Sequence, residues 1–332
     1  MIVTYEEAIR IYESFPDKVK APTLHPEYVM IDSYRDQSIQ PEFFVYKEEQ
    51  DIFYLPIHIS NYRNITDIQS QYGYGGSISN TESKEFIKRA NNEFVKWANN
   101  NRFIAGFFRL HPTLQNYNFL ETDHFFNRYV VEVDLTPTNI EENYKYRVKR
   151  VINRTKKINH DTKIVEEVDS KVLNEIFLLY TSAMKEKNTS EFYFFNKKYF
   201  ESLVNWSHSF ICTSHYNGEL VGVNIYIWDG EEVNYHLGCT NDMGKKFGIS
   251  FLMMKKAIDF SKKRNFKKLL LGGGFTTSED DSLLHFKKGF SDKLLEYHIG
   301  SQIYRKNQYR KLKEEYKKNN LDTNKILFYR EN

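Results

Sequence analysis

The sequence predicts an α+β fold of two tandem domains, each a mixed central sheet flanked by helices. Length is the first reason: 332 residues can bury two cores of ordinary size. The second lies in the carboxy-terminal half, where three strand-like segments precede an amphipathic helix and a short apolar strand. The third is that the amino-terminal half repeats this order more faintly.

Residues 43–46 and 52–59 read as strands, 82–99 as a helix and 103–110 as a buried strand. Between them lies a glycine loop flanked by rings, Tyr72-Gly73-Tyr74-Gly75-Gly76-Ser77. Asp134-Leu135-Thr136-Pro137 and the polar residues after it suggest a linker, giving domains 1–136 and 137–332. In the second half, 209–216, 221–228 and 233–239 are strand-like, separated by the hairpin signals Asn217-Gly218 and Asp229-Gly230. A glycine-containing turn is expected over 244–250. A helix then runs to about Arg264, with Phe251, Met254 and Ile258 on one face. The apolar run 268–271 stops at Gly272-Gly273-Gly274. Strand, helix and short buried strand make a right-handed crossover, so the strands at 233–239 and 268–271 should lie parallel.

Composition narrows the class. Hydrophobic residues at 40% and charged residues at 27% describe a globular chain, not a disordered one, and no run approaches the roughly 20 apolar residues of a membrane helix. The amino terminus, MIVTYEEAIRIYESFP, carries acids early, unlike a signal peptide, so a cytoplasmic location is expected. Cys212 and Cys239 stand alone in strand-like segments, without CxxC or a His partner, so no metal site is expected. A net charge of +3 is too weak to mark a nucleic-acid binder by itself, and DNA is not an expected partner. Lys145, Arg147, Lys149, Arg150, Arg154, Lys156 and Lys157 nonetheless crowd one predicted helix, and 305–318 is basic again. Such runs are either solvated faces or landing sites for a polyanion such as tRNA or a phosphorylated lipid.

Two segments carry the chemistry. Lys245-Lys246-Phe247-Gly248-Ile249-Ser250 sits between a strand and a helix start, where free N–H groups and the helix dipole receive phosphates. Gly272, Gly273 and Gly274 permit close approach to the backbone, and Phe286-Lys287-Lys288-Gly289-Phe290 puts two cations between rings. Asp281, His236 and Tyr235 are candidates for proton transfer. Each has a plainer reading: Asp281 as a helix cap, His236 as a satisfied core histidine, the glycines as a loop. Arg109 and His111 follow the buried strand of the first half and are candidates to line an acceptor pocket.

These motifs, in this order, resemble the Fem-type branch of the GNAT superfamily. The resemblance rests on Gly272-Gly273-Gly274, Asp281-Ser282-Leu283 and the Phe286 to Phe290 segment. It also rests on Tyr72-Gly73-Tyr74-Gly75-Gly76, on Phe108-Arg109-Leu110-His111-Pro112, similar to the family's YGYGGP and RFHP segments, and on Asn234-Tyr235-His236-Leu237-Gly238. It covers most of the chain. The branch includes the peptidoglycan bridge-forming aminoacyltransferases, which use aminoacyl-tRNA. In the resemblance Lys287 supports the reaction, and Phe286 lies beside the donor. The glycine loop is richer in glycine than in those enzymes, and their long charged helical hairpin is missing. The motifs look closer to Fem-like acyltransferases of envelope-polysaccharide genes, whose donors include acyl-CoA and whose acceptors are often amino sugars.

The expectation is therefore a tandem GNAT-like acyltransferase. Lys287, Asp281 and His236 are its catalytic candidates, and Lys245, Gly248, Ser250, Gly272, Gly273, Gly274 and Phe286 are expected on the donor. Tyr72, Tyr74, Gly75, Gly76, Arg109, His111 and Tyr235 are expected on the acceptor. The donor would be acyl-CoA or aminoacyl-tRNA, and the acceptor an activated sugar or lipid-linked cell-wall precursor, with a peripheral membrane contact as a further partner. The rivals are a tRNA-dependent peptidoglycan bridge transferase and a catalytically silent module that binds tRNA or glycan.

Overall fold

The computed structural model of the protein describes residues 1–187 and 189–330. The chain forms two compact units, Met1–Asn127 with Glu296–Asn332, and Arg128–Leu295.

The first unit opens with β1 (Ile2–Val3), α1 (Tyr5–Glu13) and α2 (Pro26–Ser33), followed by a meander of β2 (Ile39–Glu48), β3 (Asp51–Tyr62) and β4 (Ile65–Gln69). After β5 (Ile78–Ser79), α3 (Lys84–Asn100) crosses to β6 (Ala105–Arg109), which lies parallel to β4. Asn or Asp at a β-turn is common, but here Arg63 and Asn64 both take the left-handed conformation, at φ 48° and 67°. The β3–β4 turn is thus of the kind hairpin strands favour. Ser83 caps α3 by accepting from Phe86 N–H. Its Phe86, Ala90 and Phe94 pack on Phe44, Phe53, Leu55 and Phe108 of the sheet. β7 (Asp123–Asp134) carries the chain from the first unit into the second.

The second unit continues with α4 (Tyr146–Thr155), β8 (Asp161–Val165), α5 (Ser170–Glu186) and α6 (Lys197–Val204). Then come β9 (Ser209–Tyr216), β10 (Glu219–Asp229) and β11 (Glu232–Thr240), an antiparallel meander. Asn217 and Gly218, at φ 51° and 83°, make the β9–β10 turn as their sequence predicts. α7 (Asp242–Phe247) and α8 (Ile249–Lys263) follow, then β12 (Lys268–Gly272) and α9 (Ser282–Lys287). β11 and β12 are parallel, with Val233 opposite Leu269, and α8 connects them, as the pattern requires. Ile249, Leu252, Met253 and Ile258 of α8 pack on Val221, Tyr226, Val233 and Leu269. β13 (Leu294–Ile303) returns the chain to the first unit, and α10 (Lys306–Lys318) follows. The basic 305–318 run is this helix, none of whose residues is buried.

Within the units the strand orders are β1-β2-β3-β4-β6-β13 and β7-β12-β11-β10-β9-β8. Each contains an antiparallel meander, a helical crossover and a parallel strand, so the duplication read from element order is present.

Two expectations need correction. The second domain does not extend to residue 332, and the chain passes between units at 127/128, not 136/137. β13 pairs with β6 from Ile299 to Ile303, and Tyr329 and Arg330 bind the buried Asp67, so the carboxy terminus belongs to the first core. The glycine-containing turn at 244–250 is mostly helix. Asn241 caps α7 by accepting from Gly244 N–H at 2.9 Å, and only Gly248, at φ 73°, breaks the helix before α8. No helix of the described residues is long and apolar enough to cross a membrane.

Candidate active site

The site in the second unit begins with a parting of strands. β11 pairs with β12 only through Glu232, Val233 and Asn234, while its pairing with β10 continues to Thr240. From Tyr235 onward β11 and β12 diverge. At the same point β10 and β11 shift register between Ile225 and Tyr226, whose partners are Leu237 and Tyr235, leaving His236 as the extra residue of a bulge.

Lys287 enters this opening from α9. It is 6% exposed, and its ammonium donates to Gly273 O at 2.7 Å and lies 5.6 Å from the centroid of the Tyr235 ring. Burial disfavours the charged form; Asp281 opposes that and Arg128 adds to it, and the pKa is pushed down to about 7. Lys288, one residue on, is only partly buried, so the inward lysine is the one the Phe286-Lys287 pattern singles out.

The glycine loop is shaped by its own protein neighbours. Gly272 has φ 77°, open to glycine without strain. A side chain on Gly273 would meet Arg128 Cδ and Tyr129 O at 2.9 Å, and one on Gly274 would collide with the Asp281 carboxylate. The close approach expected for a ligand at Gly273 and Gly274 is thus made by Arg128 and Asp281. Arg128 also donates to Gly274 O at 2.8 Å, so two cations, Arg128 and Lys287, hold consecutive carbonyls of the loop.

Asp281 caps α9. Its Oδ1 accepts from Leu283 N–H and Leu284 N–H at 2.9 and 3.0 Å, and its Oδ2 from Thr276 N–H and hydroxyl at 2.9 and 3.1 Å. Burial raises its pKa, but these bonds outweigh it and hold the carboxyl down at about 2. A group so bonded positions the loop and the helix bearing Lys287; it is poorly suited to carry a proton near neutral pH.

His236 is half-buried, and its Nε2 shares a 2.6 Å hydrogen bond with the hydroxyl of Tyr199, a fully buried residue of α6. Tyr235 points its hydroxyl to Asn224 Oδ1 at 3.3 Å. Phe286 is partly buried and packs edge-on against Phe251 of α8 at 4.8 Å and against Phe290 at 5.5 Å, at the edge of the core. Cys239, whose thiol burial pushes up to about 12, is no nucleophile.

The expected phosphate-binding segment looks different in space. Lys245 is exposed and ion-paired with Asp242 at 2.8 Å and Glu186 at 3.6 Å. Gly248 lies under α4: a side chain there would meet Val151 Cγ1 at 2.6 Å, and Thr155 donates to Phe247 O at 2.7 Å. Ser250 is the second residue of α8 and half-buried. The start of α8 is therefore packed by the chain itself.

In the first unit, β4 leaves β6 after Gln69, and the 72–76 loop returns to it through Gly75 N–H on Arg109 O at 2.5 Å. Asn116 clamps this loop, donating to Gly75 O and accepting from His111 N–H, both at 2.7 Å. Gly76, at φ 93°, lies where a side chain would strike Asn116. Tyr74 meets His111 and Tyr297 edge-on, each at 5.4 Å. The Arg109 guanidinium lies 4.7 Å from the centroid of the Phe107 ring and donates to Ser70 O at 3.3 Å. Tyr72 N–H donates to Asp32 at 2.7 Å, and Asp32 accepts from Nε and Nη2 of Arg35 at 2.5 and 3.0 Å. A groove of about 520 Å3 beside Met1, lined by Phe44, Trp97 and Glu93 among others, includes none of these residues.

The structure thus brings together Lys287, Asp281, Tyr235 and the three glycines, with His236 on the next residue of β11. Arg128, Tyr199, Asp32 and Asn116 were not singled out from sequence, and each acts on a partner distant in the chain. No family model matches the sequence, and no curated protein sequence matches it. Solved structures do match the fold. FemX has a TM-score of 0.71 at 11% identity, over 94% of this chain and 99% of that one. L-PGS from Bacillus licheniformis has 0.62 at 14%, over 89% and 91%. A tandem GNAT protein from the clavulanic acid biosynthesis pathway has 0.52 at 6%, over 90% and 93%. At these identities the likeness is one of architecture: the chain has an α+β, Fem-like fold of tandem GNAT units.

Proposed function

We propose that the chain transfers an acyl or aminoacyl group to an amino group of a cell-envelope sugar or peptidoglycan precursor, at the opening between β11 and β12. The observation that carries this reading is Lys287: a buried cation held at the end of β12, facing Tyr235 where β11 departs. In the reaction the acceptor nitrogen bonds to the donor carbonyl carbon and the carbonyl electrons move to oxygen. The C–O bond of an aminoacyl ester, or the C–S bond of a thioester, then breaks. The proton lost by the amine ends on the departing oxygen or sulfur. Lys287 in its charged form stabilises the oxyanion, an effect typically worth about 3 kcal/mol for one well-aimed donor. His236, oriented by Tyr199, takes the amine proton. Asp281, Arg128 and the glycines fix the loop that holds Lys287.

On the acceptor side we assign Tyr72, Tyr74, Gly75, Gly76, Arg109 and His111 of the first unit, where the guanidinium suits a phosphate or carboxylate of the precursor. A lipid-linked acceptor draws support from the fold neighbour described as the C-terminal domain of a putative lysylphosphatidylglycerol synthetase from Agrobacterium fabrum, TM-score 0.62 at 10% identity over 94% of this chain and 97% of that one.

Between the two donors, the packing of α4 on Gly248 favours aminoacyl-tRNA, because a CoA pyrophosphate would need the covered start of α8. Arg150 and Arg154 of α4, with Lys156 and Lys157 just past its end, are exposed and suit the tRNA backbone. A screen of acyl-CoAs against charged tRNAs tests the reading. Binding of charged tRNA that weakens with salt and with loss of Arg150 and Arg154 supports it. Tight acyl-CoA binding that depends on Lys245 and Lys246 makes CoA the donor, and binding of neither rejects the transferase.

A further inference from the structure

The second unit carries a cluster of rings that faces solvent. The connection from α5 to α6 holds Phe192, Tyr193 and Phe194, exposed by 41, 37 and 38%. They lie on a 3₁₀ turn, Glu191–Tyr193, closed by Tyr193 N–H on Ser190 O and Phe194 N–H on Glu191 O, at 3.1 and 2.9 Å. Phe195, the next residue, points inward and packs on Tyr180 and Tyr199. The turn is therefore built to anchor one ring and present three. Phe275, just past the glycine loop, is 60% exposed, and the ammonium of Lys187 at the end of α5 lies 5.5 Å from its centroid. Lys187 thus links the chain entering the aromatic turn to the rim of the β11–β12 opening.

Clustered exposed rings of this size mark an interaction surface, because water disfavours them. The surrounding charge selects the partner. Lys185, Lys187, Lys197 and Lys198 are exposed on either side of the turn, against Glu191 within it and Glu186, which is already paired with Lys245; the loop after Phe275 adds the exposed Glu279 and Asp280. Rings beside several ammonium groups match the interface of an anionic bilayer, where the rings sit at headgroup level and the cations meet lipid phosphates.

We propose that the turn bearing Phe192, Tyr193 and Phe194, with Phe275 and the flanking lysines, docks the second unit on an anionic lipid surface. Docking there sets the opening that holds Lys287 beside a membrane-borne acceptor; the role given to that acceptor rests on the function proposed above, whereas the docking does not.

The test sediments the full chain with vesicles of phosphatidylglycerol and phosphatidylcholine, and with phosphatidylcholine alone. The expected result is binding to the anionic vesicles, at least tenfold weaker on the neutral ones and at least tenfold weaker for Phe192→Ser/Phe194→Ser/Phe275→Ser. Phe125→Ser, at an exposed ring of the first unit, should bind as the parent does. Phe192→Trp, which keeps a ring and needs no loss of packing, should shift its emission to the blue on anionic vesicles only. No sedimentation of the parent with anionic vesicles overturns the proposal, as does undiminished binding by the triple Ser variant. A ring-dependent dimer in vesicle-free buffer also overturns it, giving the surface to a second copy. Transfer to a water-soluble acceptor is read separately. Transfer without vesicle binding refutes docking alone, whereas vesicle binding with no transfer supports docking and refutes the function.

Discussion

Replacing Lys287 by Met should separate catalysis from stability in opposite directions. The substitution keeps the stem and removes a charge that is 6% exposed. In the unfolded chain the ammonium titrates near 10.5, and in the folded one near 7. Between those values the unfolded state binds more protons, so the wild-type protein gains stability as pH rises from 7 towards 10.5 and carries its full penalty below 7. At about 1.4 kcal/mol per unit, that penalty is roughly 5 kcal/mol at pH 6 and about 2 kcal/mol at pH 9. Losing the bond to Gly273 O offsets part of it, by about 1 to 3 kcal/mol. Lys287→Met should thus be the more stable protein at pH 6, with an advantage that shrinks by about 3 kcal/mol by pH 9. Its kcat should fall about a hundredfold or more. Urea unfolding at the two pH values, with turnover measured beside it, reads both effects. A variant less stable at pH 6 than at pH 9 relative to wild type, or one with full activity, refutes the reasoning.

Other substitutions probe the supports of this lysine and of the first unit. Asp281→Ala removes the α9 cap and the Thr276 bonds. It should cost about 1 to 2 kcal/mol in urea unfolding at pH 7. Since the folded carboxyl titrates near 2 and the unfolded one near 3.8, the loss should disappear as pH falls from 3.8 through 2. Tyr199→Phe deletes the hydroxyl bonded to His236 and should move the acid limb of the kcat/KM pH profile while far-UV melting changes little; an unmoved limb removes His236 from proton transfer. Asp32→Ala leaves Arg35 buried without its carboxylate and should destabilise by about 3 to 5 kcal/mol in urea unfolding; a loss under 1 kcal/mol would show that the pair is relaxed in solution.

The meander of the second unit was legible because Asn217-Gly218 and Asp229-Gly230 are local turn chemistry, and α8 because Met254 and Ile258 repeat on one face. α7 was not legible. Its Gly244 signals a turn, yet it is glycine because a side chain would strike the Val221 carbonyl, a contact no local pattern records. β13 was missed because its partner β6 lies almost 200 residues earlier. Lys287 could be distinguished from Lys288 through the motif around it, and the glycines through their run. The groups that hold these residues in place could not: Tyr199 meets His236 across 37 residues and Arg128 meets Gly274 across 146, so only the folded chain pairs them.

The central claim is that an acyl or aminoacyl group is transferred at the β11–β12 opening with Lys287 as its cation. Its most direct measurement is single-turnover transfer from radiolabelled aminoacyl-tRNA to a lipid-linked peptidoglycan precursor, by wild type, Lys287→Met and Lys288→Met. The account predicts product with wild type and Lys288→Met, and a rate reduced about a hundredfold with Lys287→Met. Equal rates for wild type and Lys287→Met, or loss with Lys288→Met alone, would contradict it.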